Sequence, residues 1–204
     1  MRKIAVKESI DLDESLGKLG YLAEIHEWDN RKHLERVSRY VRVMALTLGF
    51  NAEEAEVLSA ASKLHDVGKI FTPKDLLRST ENLGEKEWAK IEKHTTQGAK
   101  VLENKDSIVL KTASVIALTH HERWDGSGYP QRLKGKEIPM SGCICAVADV
   151  FDALTTSRPY KQTVEDEAAL RMIKDSSGVL FNPEVVSAFE KGFPEIRKIK
   201  KACE

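Results

Sequence analysis

Apolar residues recur at helical spacing along most of the chain. Leu34, Val37, Val41, Met44, Ala45 and Leu48 share one helical face, and Gly49 follows as a C-terminal cap. Asn51, with Glu54 three residues later, is a capping-box start. The helix it opens carries Leu58, Ala60, Ala61 and Leu64 and runs into His65-Asp66, before Gly68 and Thr72-Pro73 end it. Ser79 to Gly84 reads as loop. Helices are predicted from about Glu85 to Glu103, with Trp88, Ile91 and His94 on related faces, and from about Ser107, with Val109, Ala113, Ile116, Ala117 and His120. The pattern breaks between Glu122 and Pro139. The density of glycine and proline in Asp125-Gly126-Ser127-Gly128-Tyr129-Pro130 predicts a fixed loop. Met140 to Leu154 is apolar enough for a buried strand or a buried helix, and Asp149, Ala153 and Thr156 on one side favour helix. Further helices are predicted from Thr163 and from Asn182-Pro183, the last ending near Gly192. Residues 1–25, interrupted by Gly17 and Gly20, read as an N-terminal arm or lead-in helix, leaving 26–204 as one domain. With no repeat and no hairpin signal, the expected class is all-α.

Composition narrows the function. The 204 residues carry a net charge of zero, which argues against a generally basic nucleic-acid binder. No apolar run approaches the roughly 20 residues of a membrane helix, and Met1-Arg2-Lys3 is not followed by an apolar signal core. The three cysteines form no CxxC motif, and Cys143 and Cys145 read as small buried thiols in a reducing cytosol. The expected location is cytoplasmic.

The candidate chemistry lies in histidines. Of six, five (His33, His65, His94, His120 and His121) fall inside or at the ends of apolar helices, while His26 has the default reading of a surface residue. One histidine on an apolar face is usually a hydrogen-bonded core residue, and an isolated His65-Asp66 pair is a weak signal. Five histidines with Asp66 and Asp149 offer seven imidazole or carboxylate groups, more than one tetrahedral zinc takes. Such a set suits two first-row ions of octahedral preference, iron or manganese, bridged by a carboxylate. Asp29 and His33 are spaced i, i+4; Asp66 and Lys69, and Asp149 and Asp152, are spaced i, i+3, so each pair can aim at one point. Asp29 reads equally well as a solvated first-turn carboxylate favoured by the helix dipole.

These residues carry a resemblance. His33, His65-Asp66-Val67-Gly68-Lys69-Ile70, His94-Thr95, His120-His121-Glu122-Arg123-Trp124-Asp125-Gly126-Ser127-Gly128-Tyr129-Pro130, Asp149-Val150-Phe151-Asp152-Ala153-Leu154 and Arg158-Pro159-Tyr160 occur in the order of the HD-GYP family, a branch of the HD metal-dependent phosphohydrolases. The chain resembles that family from about Asp29 to Phe189. The resemblance implies an HD-like helical bundle with a metal centre between helices and a Gly-Tyr-Pro loop. It implies hydrolysis of a cyclic dinucleotide, cyclic di-GMP or 3′,3′-cyclic GMP-AMP, to linear pGpG or GMP by a metal-bridging hydroxide. By the same resemblance His33, His65, Asp66 and Asp149 hold one metal, and His94, His120 and His121 hold the second with Asp66 bridging. Asp29 stands where some members bind a third metal through a glutamate one methylene longer. Lys69, Tyr129, Asp152, Arg158 and Lys161 would contact substrate, and the Gly-Tyr-Pro loop would be a docking surface for a diguanylate cyclase domain. Two other readings compete: a non-hydrolytic sensor or cyclase-docking module, and a general HD nucleotidase or phosphatase.

Overall fold

The computed structural model describes residues 15–23, 30–79, 83–104, 106–156 and 163–203. Helical residues 15–23 (α1) precede α2 (Asn30–Thr47), α3 (Ala52–Ser62), a 3₁₀ turn (Val67–Phe71) and the short α4 (Lys74–Leu77). Then come α5 (Glu85–Val101), α6 (Ile108–Thr119), α7 (Met140–Thr155), α8 (Asp166–Asp175) and α9 (Pro183–Ala202). Among the described residues there is no strand, only one isolated bridge between Ser177 and Phe181. The class is all-α, as expected.

Local chemistry explains most boundaries. Gly49, at φ 93°, closes α2 in the left-handed region that glycine enters at least cost. At the start of α3, Glu54 N donates to Asn51 Oδ1 at 3.0 Å and Asn51 N donates to Glu54 Oε2 at 2.9 Å, a complete capping box. Three boundaries differ from the sequence pattern. The α3 helix closes at Ser62, and the chain tightens into successive i→i−3 bonds (His65 N to Ser62 O, Val67 N to Leu64 O), so His65-Asp66 sits on a turn. Helix α8 starts at Asp166 rather than Thr163. Helix α9 continues past Gly192 to Ala202. There Gly192 is a packing residue, since a Cβ would lie 2.8 Å from Val43 Cγ1, and the bond lost at Pro194 falls on the exposed side of the helix.

The core has two parts that meet at α7. One gathers Val37, Tyr40, Met44, Ile144, Val147, Phe151 and Phe189, from α2, α7 and α9. The other gathers Leu16, Ala61, Leu64, Val67, Ala113, Ile116 and Cys145, from α1, α3 and the turn that follows it, α6 and α7. Ten of the 16 residues of α7 are buried, including Cys143 and Cys145 as free thiols. A helix covered on nearly all sides has no polar face, which is why periodicity alone left strand and helix open there.

Candidate metal centre

Five elements converge on one cluster of side chains. Helix α2 supplies His33, the turn after α3 supplies His65 and Asp66, α5 supplies His94, the end of α6 supplies His120 and His121, and α7 supplies Asp149. Gly68 lets the 3₁₀ turn lie directly on α5, because a Cβ there would fall 1.9 Å from His94 O. Asp66 and His94 are thereby brought together.

The ligand atoms fall into two groups, Asp66, His94, His120 and His121 in one and His33, His65 and Asp149 in the other, with the atoms of each group within 4.8 Å of one another. Asp66 faces both. Its Oδ1 is 3.2 Å from His94 Nε2 and 3.5 Å from His120 Nε2, and its Oδ2 is 3.2 Å from His65 Nε2. In the second group, Asp149 Oδ1 lies 3.6 Å from His33 Nε2 and 3.9 Å from His65 Nε2.

The opposite side of each ring determines what the near side presents. Nδ1 of His65 donates to Ser62 O at 2.9 Å, that of His94 to Ile91 O at 2.7 Å, and that of His120 to Ile116 O at 3.0 Å. A carbonyl oxygen only accepts, so these Nδ1 atoms carry the proton and each Nε2 turns a lone pair inward. His94 Nε2, His120 Nε2 and Asp66 Oδ1 are buried and make no hydrogen bond. Lone pairs and carboxylate oxygens gathered this closely, away from water, are costly unless a cation lies between them. The imidazole and carboxylate donors therefore fit divalent first-row metal ions.

Charge follows the same geometry. Burial raises the Asp66 carboxyl, but the Lys69 ammonium and the close imidazoles of His65 and His120 override it and hold the group well below the usual carboxylate range. Burial lowers His120, and burial with neighbouring His120 lowers His121 further. Each shift means that the fold binds fewer protons than the unfolded chain. The metal-free protein is therefore expected to lose stability as pH falls below about 6.5, the ordinary histidine value, and again below the ordinary carboxyl value of 3.8. Thermal denaturation of chelator-treated protein at pH 7 and pH 5.5 checks this; an unchanged midpoint contradicts it.

Behind the ligands lies a buried pair that the pattern did not announce. Arg36 donates from Nε to Asp152 Oδ1 at 2.6 Å and from Nη2 to Asp152 Oδ2 at 2.9 Å, and His33 Nδ1 meets Asp152 Oδ2 at 2.8 Å. Burial opposes ionisation of Asp152, yet the bonds from His33 and Arg36 keep its carboxyl below the ordinary range. Asp152, read from the sequence as a substrate contact, belongs to this buried pair. The residue is 1% exposed and both its oxygens are occupied, so it orients His33 from behind. Arg36, three residues after His33, is the missed partner, and its only sequence signal was a charge on an otherwise apolar helical face.

Lys69 Nζ lies 2.6 Å from Asp66 Oδ2 at the edge of the cluster. Tyr129 stacks on His121, with ring centroids 4.8 Å apart and planes at 25°. Asp29, Arg158 and Lys161 lie outside the described residues.

The family model for the HD domain matches residues 21–185. The chain belongs to the HD domain family. A cyclic di-GMP phosphodiesterase of Thermotoga maritima is 43% identical over 188 residues, 92% of this chain and 51% of that protein. The 3′3′-cGAMP-specific phosphodiesterase 2 of Vibrio cholerae is 39% identical over 195 residues, 94% of this chain and 37% of that protein. The crystal structure of a cyclic GMP-AMP specific phosphodiesterase of Vibrio cholerae (V-cGAP3) aligns with a TM-score of 0.69 over 95% of this chain and 51% of that one; at 21% identity this is a likeness of fold. The HD domain described here thus spans about half the length, or less, of these relatives. Among its described residues no helix is long and apolar enough to cross a membrane.

Proposed function

We propose that this HD domain is a metal-dependent phosphodiesterase that opens a cyclic dinucleotide, cyclic di-GMP or 3′,3′-cyclic GMP-AMP, to its linear form, which for cyclic di-GMP is pGpG and then GMP. The observation that carries the reading is Asp66, whose two carboxylate oxygens face separate groups of inward-turned imidazoles. His33, His65, Asp66 and Asp149 would hold one ion, and His94, His120 and His121 the other, iron or manganese in each case. Two divalent ions supply a nucleophile at neutral pH and neutralise charge on a phosphoryl group.

The chain's own groups do the rest. Asp66, with one carboxylate oxygen toward each group, would tie the two sites together. Lys69 carries a compact positive charge at the edge of the cluster, suited to a non-bridging phosphate oxygen. The Tyr129 ring flanks the site beside His121. Arg158 and Lys161 are proposed as further substrate contacts, Asp29 as a third-metal ligand, and the Gly-Tyr-Pro loop as a surface for a diguanylate cyclase domain. Such an enzyme would work in the cytoplasm.

The test is turnover of cyclic di-GMP and 3′,3′-cyclic GMP-AMP by protein loaded anaerobically with iron or manganese, read by chromatography of the products. Binding of either nucleotide without cleavage would favour the non-hydrolytic sensor instead. In the same assay Lys69→Ala is expected to keep its full metal content while kcat falls by about 10²–10³, the scale of losing one preorganised charge contact. Loss of metal in that variant would overturn the assigned role.

A further inference from the structure

The loop between α6 and α7 contains a buried carboxylate that takes no part in either ligand group. Glu122 follows His121 and is 4% exposed. Its Oε1 accepts from Gln131 N at 2.7 Å and its Oε2 from Leu133 N at 3.0 Å. Such bonds to an ionised acceptor are strong, but burying the charge is costly, and a neutral side chain would close a surface loop at less cost.

What the carboxylate encloses accounts for it. Gln131 and Leu133 lie just beyond Tyr129-Pro130, so the two bonds fold residues 122–133 back on themselves. Inside this ring Tyr129 N donates to His121 O at 3.2 Å. Gly128 seats directly on the chain below, where a Cβ would fall 2.3 Å from Arg123 N and 2.6 Å from Glu122 Cα. Tyr129 is thus laid nearly parallel on the His121 ring. His65, His94 and His120 are each oriented by a carbonyl three or four residues back. For His121 the described residues supply an aromatic face in that place.

We propose that Glu122 is a positioning residue: by latching the loop it seats Tyr129 on His121 and so aims the His121 imidazole into the group it shares with Asp66, His94 and His120. The inference rests on the reading of that group as a metal site. It makes Tyr129 a support for a ligand as well as a flank of the site.

Glu122→Gln keeps the size of the side chain, loses one acceptor and turns an NH₂ towards a backbone N–H. In the metal-free protein, NMR should find the His121 ring protons moved from their wild-type position to the one they hold in Tyr129→Ala, because the stacked ring no longer shields them. In manganese titrations, Glu122→Gln should weaken by about 10–100-fold, the usual cost of losing an outer partner, the same site that His121→Ala weakens measurably further. The double variant Glu122→Gln/His121→Ala should lose no more than His121→Ala alone, since both changes act through one imidazole. A merely structural role would leave the His121 resonances in place or give additive losses, and either result overturns the proposal. Should Glu122→Gln fail to fold, Gly128→Ala displaces the same loop at its seat with the carboxylate intact, and the same results are expected. Failure to hydrolyse any cyclic dinucleotide would count against the phosphodiesterase reading and leave these readouts unaffected.

Discussion

Asp66→Ala is expected to remove metal from both groups at once and to bring phosphodiester hydrolysis to background. The reason is geometric. Oδ1 faces His94 and His120, Oδ2 faces His65, and among the described residues no other carboxylate faces both groups. The loss should exceed the 10–100-fold that an outer partner typically costs, because a ligand common to both sites goes. Metal analysis and turnover on the same preparation check it. His121→Ala is the comparison, expected to affect only one group. If Asp66→Ala kept one ion bound with wild-type affinity, the shared-ligand geometry would be wrong.

Arg36→Ala is expected to produce the largest loss of stability at a residue that meets no ligand group directly. Its guanidinium makes paired bonds to Asp152, with both side chains buried. Removing one partner leaves a carboxylate in a dry interior, a loss of about 3–5 kcal/mol. Denaturant titration of the metal-free protein measures it. Replacing both partners, Arg36→Met with Asp152→Leu, should recover much of that stability because no charge is left stranded. It should not recover metal affinity at the His33 group, since His33 Nδ1 has then lost its acceptor. Stability and metal binding are thus expected to separate in the double variant, and their joint recovery would show that Asp152 does not orient His33.

Much of the site could be read along the chain because its ligands are tied to motifs a few residues long. His65-Asp66 and His120-His121 are adjacent pairs, His33 and His94 sit on helices whose apolar spacing is plain, and Asp149 is a lone carboxylate in an apolar run. All seven fall in the two groups. Arg36 and Glu122 were not read because what they do is defined by distant partners. Arg36 reaches 116 residues along the chain to Asp152, and Glu122 reaches forward to backbone amides that carry no side-chain signature. The place of Asp152 was hidden for a similar reason. Its i, i+3 spacing from Asp149 suggests a common target, but three residues along a helix turn a side chain through about 300°, and Asp152 falls on the side facing α2. The extent of α9 was misjudged because Gly192 and Pro194, ordinarily terminators, are accommodated by a close contact with α2 and by solvent.

The anchoring of three histidines to carbonyls of their own helical turns bears on how the protein acquires its ions. These bonds are local and form with the helices, so the cage is assembled before anything enters it. A prebuilt nitrogen and oxygen cage ranks divalent metals in the general order of manganese below iron, cobalt and nickel, with copper and zinc high. Which divalent ion occupies it is therefore set by the surroundings in which the chain folds, and protein expressed in a zinc-rich medium is expected to carry zinc.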